Sequence, residues 1–150
     1  MDPIILSTDG SGTVIGQAGG WACVLRSGTH VRELSGSAES TTNNLMELEA
    51  VCQGLTAIKR RQAIVTVRTD SQCVIGWLSG AYKARKPHIH AAVTRILALI
   101  AERGYTVTYE HVKGHAGDPD NERCDQLAGE ARKQWMSHAP SAGSLPTNKP

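Results

Sequence analysis

The order of its hydrophobic patterns constrains this chain most. Three runs with strand periodicity precede the first helix, and strands and helices alternate after it. Ile4 to Asp9 alternates hydrophobic and small polar residues and stops at Asp9-Gly10-Ser11-Gly12, which predicts a strand followed by a turn. Residues 20–26 and 30–35 flank Ser27-Gly28-Thr29, so they read as an antiparallel meander with the first strand. Thr41, Thr42 and Asn43 are N-cap candidates for a helix running to about Arg61. Residues 63–69, rich in Val, Ile and Thr, suit a buried strand that ends at Asp70. Two helices are expected next, over 71–78 and 87–103, the second with Ile89, Val93, Ile96 and Ile100 in one stripe. Residues 105–112 read as a strand and 120 to about 136 as the last helix. The resulting order, βββαβααβα, predicts an α/β domain. Its mixed five-stranded sheet would have three antiparallel meander strands, then two parallel ones, with helices on its faces.

A length of 150 residues suits one domain, expected over 1–136. The remainder, 137–150, is rich in Pro, Ser, Gly and Asn and is expected to be a disordered tail. No apolar run is long enough to span a membrane, and the amino terminus lacks the basic region of a secretory signal. The four cysteines are scattered singly, which argues for free thiols in a reducing, cytoplasmic setting rather than for zinc or disulfides. A net charge of +2 excludes nucleic-acid binding by bulk charge alone but allows a local basic patch.

Polar residues where apolar ones belong come next. On the first helix, positions 47, 50, 51, 54 and 58 share a face: Glu47, Ala50, Val51, Gly54 and Ile58. Small apolar residues there suit packing on a sheet, yet the face begins with a glutamate. An unpaired buried carboxylate costs several kcal/mol, so this one calls for a cation. The last helix repeats the pattern, Asp125 sharing a face with Asn121, Ala128 and Gly129. Asp9 and Asp70 each close a strand-like run, where α/β sheets build their sites. Four clustered carboxylates either take up protons or are neutralised by metal. All-oxygen ligands select hard cations such as Mg²⁺.

Each carboxylate also has an ordinary reading. Asp9 suits a turn, Asp70 a helix cap, Glu47 a first-turn acid and Asp125 a solvated helix surface. Their joint placement favours a site, but the spacings alone do not name an enzyme.

Six segments carry a family resemblance. They are Thr8-Asp9-Gly10-Ser11, Gly19-Gly20-Trp21-Ala22, Thr42-Asn43-Asn44-Leu45-Met46-Glu47-Leu48, Thr69-Asp70-Ser71-Gln72, His111-Val112-Lys113-Gly114-His115-Ala116-Gly117 and Asn121-Glu122-Arg123-Cys124-Asp125-Gln126-Leu127-Ala128. In this order they resemble the ribonuclease H type I family, over about residues 3–132. The resemblance implies that Asp9, Glu47, Asp70 and Asp125 hold two Mg²⁺ ions, with Mn²⁺ as a substitute. It implies hydrolysis of the RNA strand of an RNA–DNA hybrid, leaving 5′-phosphate and 3′-hydroxyl ends. It gives His115, in its Gly-rich loop, a role in proton handling or product release. Asn43, Asn44 and Gln72 match positions that contact the RNA minor groove, Thr42 the phosphate pocket for the DNA strand, and Trp77 the DNA channel. Trp77 also reads as an ordinary packing residue. The chain is expected to act as a monomer.

Two departures stand out. A short basic stretch, residues 79–86 with Lys83, Arg85 and Lys86, stands where many bacterial members have a long basic protrusion. The loop over 12–18 lacks the family's usual asparagine, with Gln17 as a stand-in. Lys59-Arg60-Arg61 at the expected end of the first helix read as cations favoured by the helix dipole. His88 and His90 read as exposed surface residues. A non-catalytic hybrid-binding module is the alternative, but it would be expected to lose carboxylates. An integrase-type core would lack the His-Val-Lys-Gly-His loop.

Overall fold

The computed structural model describes residues 2–12 and 17–138. In chain order the elements are β1 (Ile4–Ser11), β2 (Gln17–Ser27), β3 (His30–Thr41), α1 (Asn43–Ala57), β4 (Ile64–Thr69), α2 (Gln72–Ser79), α3 (Pro87–Arg103), β5 (Thr106–His111) and α4 (Pro119–His138). They form one five-stranded sheet in the order β3-β2-β1-β4-β5. The first three strands pair antiparallel, and β1–β4 and β4–β5 pair parallel. The expected architecture is thus the observed one. Parallel neighbours need a crossover, and α1 and the α2–α3 pair supply the two of them.

Strand β1 lies at the centre, and Leu6, Ser7, Thr8 and Asp9 are all buried. On one face, Leu48, Val51 and Leu55 of α1 and Ile96 of α3 close over Leu6, Val65 and Val67. Each fully buried aliphatic side chain contributes about 1.5–3 kcal/mol. On the other face, Cys124 and Ala128 of α4 pack on Ala22 and Val24. Thr42 caps α1, its side-chain oxygen accepting from Leu45 N at 3.2 Å, and Ser71 caps α2 in the same way through Val74 N.

Several boundaries differ from the sequence expectation. Strand β1 does not turn after Asp9 but continues through Gly10 and Ser11, which pair with Trp21 and Gly20 of β2. Helix α1 ends at Ala57, because Ile58 turns extended and is buried. Lys59, Arg60 and Arg61 therefore lie beyond the helix, and Arg60 and Arg61 donate to the carbonyls of Asp2 and Glu102. Strands β2 and β3 are longer than their apolar cores, since the ladder continues through Gly20–Ser37 to Gln17–Thr41. Helix α4 continues to His138, past the expected end near residue 136. Residues 139–150 of the expected tail, and 13–16 of the loop after β1, lie outside the described residues. Among the described residues no helix is long and apolar enough to cross a membrane.

Candidate active site

Parallel pairing sets Ser7 of β1 opposite Arg68 of β4. Two residues further along each chain are Asp9 and Asp70, so sheet register alone brings these two carboxylates to one edge. Gly10 brings the third. A Cβ at Gly10 would lie 2.4 Å from the backbone nitrogen of Glu47. Only glycine lets the start of α1 sit this close to β1, and that approach delivers Glu47 beside Asp9. Carboxylate oxygens of Asp9, Glu47 and Asp70 lie within 4.8 Å of one another.

The electrostatics of the cluster follow from burial. Asp9 and Glu47 are both buried. Desolvation, then the charge of Asp70, pushes the Asp9 carboxyl up to about 8. Desolvation, then the charges of Asp9 and Asp70, pushes Glu47 up to about 9. The Gly10 N–H donates to both carboxyls and offsets part of the rise. Glu47 Oε1 is buried with no hydrogen-bond partner. A buried polar atom without a partner costs about 1–3 kcal/mol. A hard divalent cation fits these residues: it would neutralise the cluster and give Oε1 a ligand, and the donor set is all oxygen.

Asp125 stands at the margin. It is exposed on α4 rather than buried, and its charge and hydrogen bond toward Asp9 add to the raised proton affinity there. One turn earlier, Asn121 is buried and its Nδ2 donates to Asp70 Oδ2 at 3.5 Å. The loop between β5 and α4 crosses the same edge. Val112 N donates to Thr69 O at 2.9 Å, and a Cβ at Gly114 would lie 2.8 Å from Asp70 Oδ2. The next residue, His115, is exposed and has φ 56, in the left-handed region. Gly117 N donates to Glu122 Oε2 at 3.1 Å, which ties the loop to α4.

At the start of α1 lies a groove of about 440 Å³. Thr42, Asn43, Asn44 and Trp77 line it together with Lys83, Arg85, Lys86 and His88. Trp77 also packs against the main core, as its packing reading expects. Asn43 Oδ1 accepts from Gly12 N at 3.1 Å. Gln72 lines a different depression, of about 260 Å³, with Tyr82 and His111.

The profile of the RNase H family matches residues 1–133. The chain belongs to the ribonuclease H family. The Ribonuclease H of Saccharopolyspora erythraea is 41% identical over 147 residues, covering 89% of this chain and 93% of that protein. The Ribonuclease H of Paracidovorax citrulli is 40% identical, covering 93% of this chain and all of that protein. LC11-RNase H1, isolated from compost, superposes with a TM-score of 0.79 at 26% identity, covering 91% of this chain and 99% of that one. A structure of LC11-RNase H1 in complex with RNA/DNA hybrid shares the fold, with a TM-score of 0.75 at 24% identity over 89% of this chain and 99% of that one.

For a ribonuclease H, the geometry treats the residues expected from sequence unequally. Asp9, Glu47 and Asp70 converge, and Asp125 faces Asp9 from the solvent side. Thr42, Asn43, Asn44 and Trp77 share one groove, whereas Gln72 lies apart from it. Three further positions went without a role. Gly10 and Gly114 make room for carboxylates, and Asn121 binds one of them. The signal for Asn121 was available: it stands four residues before Asp125, on the same helical face.

Proposed function

We propose that this enzyme hydrolyses the RNA strand of RNA–DNA hybrids, using Mg²⁺ held by Asp9, Glu47, Asp70 and Asp125, and leaves 5′-phosphate and 3′-hydroxyl ends. The observation that carries this reading is the Asp9–Glu47–Asp70 cluster, in which Asp9 and Glu47 are buried and Glu47 Oε1 is unpartnered, together with a basic groove at the start of α1. The complex of LC11-RNase H1 with RNA/DNA hybrid supports the choice of substrate.

Residues 1–136 act as one catalytic domain and the chain as a monomer. When bound, a pair of divalent cations supplies the charge neutralisation and Lewis acidity for displacement at phosphorus, and Mn²⁺ can serve in place of Mg²⁺. The protein's own groups do the rest. Asp9 and Glu47 hold protons in the cation-free site and release them as ligands. Lys83, Arg85 and Lys86 attract the DNA backbone, Thr42 holds one of its phosphates, and Trp77 packs against the sugar–base stack. Asn43 uses Oδ1 on Gly12, so its amide NH₂ is the end it offers the RNA strand. Asn44 and Gln72 reach the RNA minor groove, where the 2′-hydroxyl separates RNA from DNA. His115, on its exposed loop, handles a proton or helps product to depart.

The test compares the parent and Asp70→Asn on labelled hybrid, duplex RNA and duplex DNA with Mg²⁺. The parent should cut only the RNA of the hybrid. Asp70→Asn should lose cutting and remain folded. Full activity in Asp70→Asn would overturn the assignment.

A further inference from the structure

Helix α4 carries Asp125 but packs mainly on β1, β2 and β3, whereas Asp70 stands at the end of β4. The ion pairs Arg26–Asp120 and Arg123–Glu33 tie it to β2 and β3. Neither fixes its distance from β4. Arg68 does. On β4, two residues before Asp70, its Nε donates to Glu110 Oε1 of β5 at 2.6 Å, and its Nη2 reaches Asp118 Oδ2 at 2.8 Å. Arg68 and Glu110 are cross-strand partners in the parallel ladder, so the guanidinium is held against the sheet.

Asp118 is the cap of α4. Its Oδ1 accepts from Asn121 N at 2.9 Å, and Pro119 follows as the first helical residue. The Asn121 backbone that Asp118 binds carries the side chain that donates to Asp70. The chain of contacts thus closes a ring: Asp70, back along β4 to Arg68, across to Asp118, into the first turn of α4, and back through Asn121 to Asp70. Asp118 is also the residue at which the His115 loop ends.

We propose that Arg68, acting through Asp118, is a positioning residue that sets the separation of the α4 ligand Asp125 from the β4 ligand Asp70. Resting on the assignment of those two as ligands, it adds a residue that touches neither cation nor substrate. Substitution of groups that orient metal ligands weakens metal binding about 10–100-fold. Arg68 stands one contact further out, so a rise of roughly 3–10-fold in the Mg²⁺ midpoint is expected.

Thermal unfolding in a Mg²⁺ titration, without substrate, reads this directly, with cleavage kinetics alongside. The variants are Arg68→Met, which keeps the stem on the sheet, and Asp118→Ser, which keeps a capping hydroxyl but removes the pair. Both should shift the Mg²⁺ midpoint upward, leave the KM for hybrid within about twofold, and show no further shift when combined. Arg123→Met, which breaks the Glu33 pair on the same helix, should lower Tm without moving the midpoint. A parental midpoint in Asp118→Ser, or additive shifts in the double variant, would overturn the proposal. If instead the parent neither cuts hybrid nor responds to Mg²⁺, the ligand assignment itself fails and takes this inference with it. A response that Asp70→Asn abolishes, with a parental midpoint in Arg68→Met, sinks the positioning role alone.

Discussion

Replacing Glu47 by Gln should make the metal-free protein more stable, and increasingly so as pH rises. The Glu47 carboxyl is pushed up to about 9 in the folded chain by burial and by the charges of Asp9 and Asp70, while the unfolded chain has an ordinary value near 4.3. Between these values the folded state holds a proton that the unfolded state has lost, so stability falls as pH rises. The slope is about 1.4 kcal/mol per pH unit for one proton. From pH 5 to pH 8 this limits the loss to about 4 kcal/mol, and relaxation of the cluster makes roughly 2–4 kcal/mol the expected figure. Gln is the neutral isostere and carries no such penalty. In chelator at pH 8, Glu47→Gln should unfold some 4–16 °C above the parent, at about 2–4 °C per kcal/mol for a chain of this size. At pH 5 the two curves should nearly coincide. Mg²⁺ should raise the parent's Tm by mass action and leave the variant's almost unmoved. A variant no more stable than the parent at pH 8, or a difference that does not shrink toward pH 5, would refute the reasoning.

Gly10→Ala places a methyl group 2.4 Å from Glu47 N. It should cost about 1–3 kcal/mol in urea unfolding and most of the activity, because the start of α1 must retreat from β1. Exchanging Lys83, Arg85 and Lys86 for Gln should weaken hybrid binding and flatten the dependence of log affinity on log salt by about 0.9 per lost phosphate contact; an unchanged slope in a binding titration would exclude the groove. Cys73 is the exposed thiol, whereas Cys23, Cys52 and Cys124 are buried. Burial pushes the Cys23 thiol up to about 12 and raises Cys124 as well. Alkylation of the native chain at pH 8 should modify Cys73 first, with mass spectrometry locating the adduct.

How much of the site was legible in the sequence varied by residue. Glu47 was visible at once, because a carboxylate on a small apolar helix face contradicts the pattern around it. Asp9 and Asp70 were visible at the close of strand-like runs, although β1 continues two residues past Asp9. Asp125 shares a helical face with Asn121 and Ala128, which are buried, but is itself exposed, so its place in the set rests most heavily on the family resemblance. Trp77 read equally as a packing residue and as a wall of the DNA channel; it packs on the main core and lines the groove at the start of α1.

The sequence by itself pointed to the element order, the sheet, the family and all four acidic positions, Asp125 mainly through the family motifs, since periodicity, caps, turns and motifs are local and leave local traces. It misjudged the end of α1 and the reach of β2 and β3. Those boundaries depend on Ile58 finding the core and on strands finding partners, and neither is written within one segment. Only the tertiary structure decided that Asp9, Glu47 and Asp70 meet within 4.8 Å, that Gly10 permits it, and that Arg68 links β4 to the cap of α4. Each of these joins residues far apart in the chain, where distance is set by packing and register rather than by spacing.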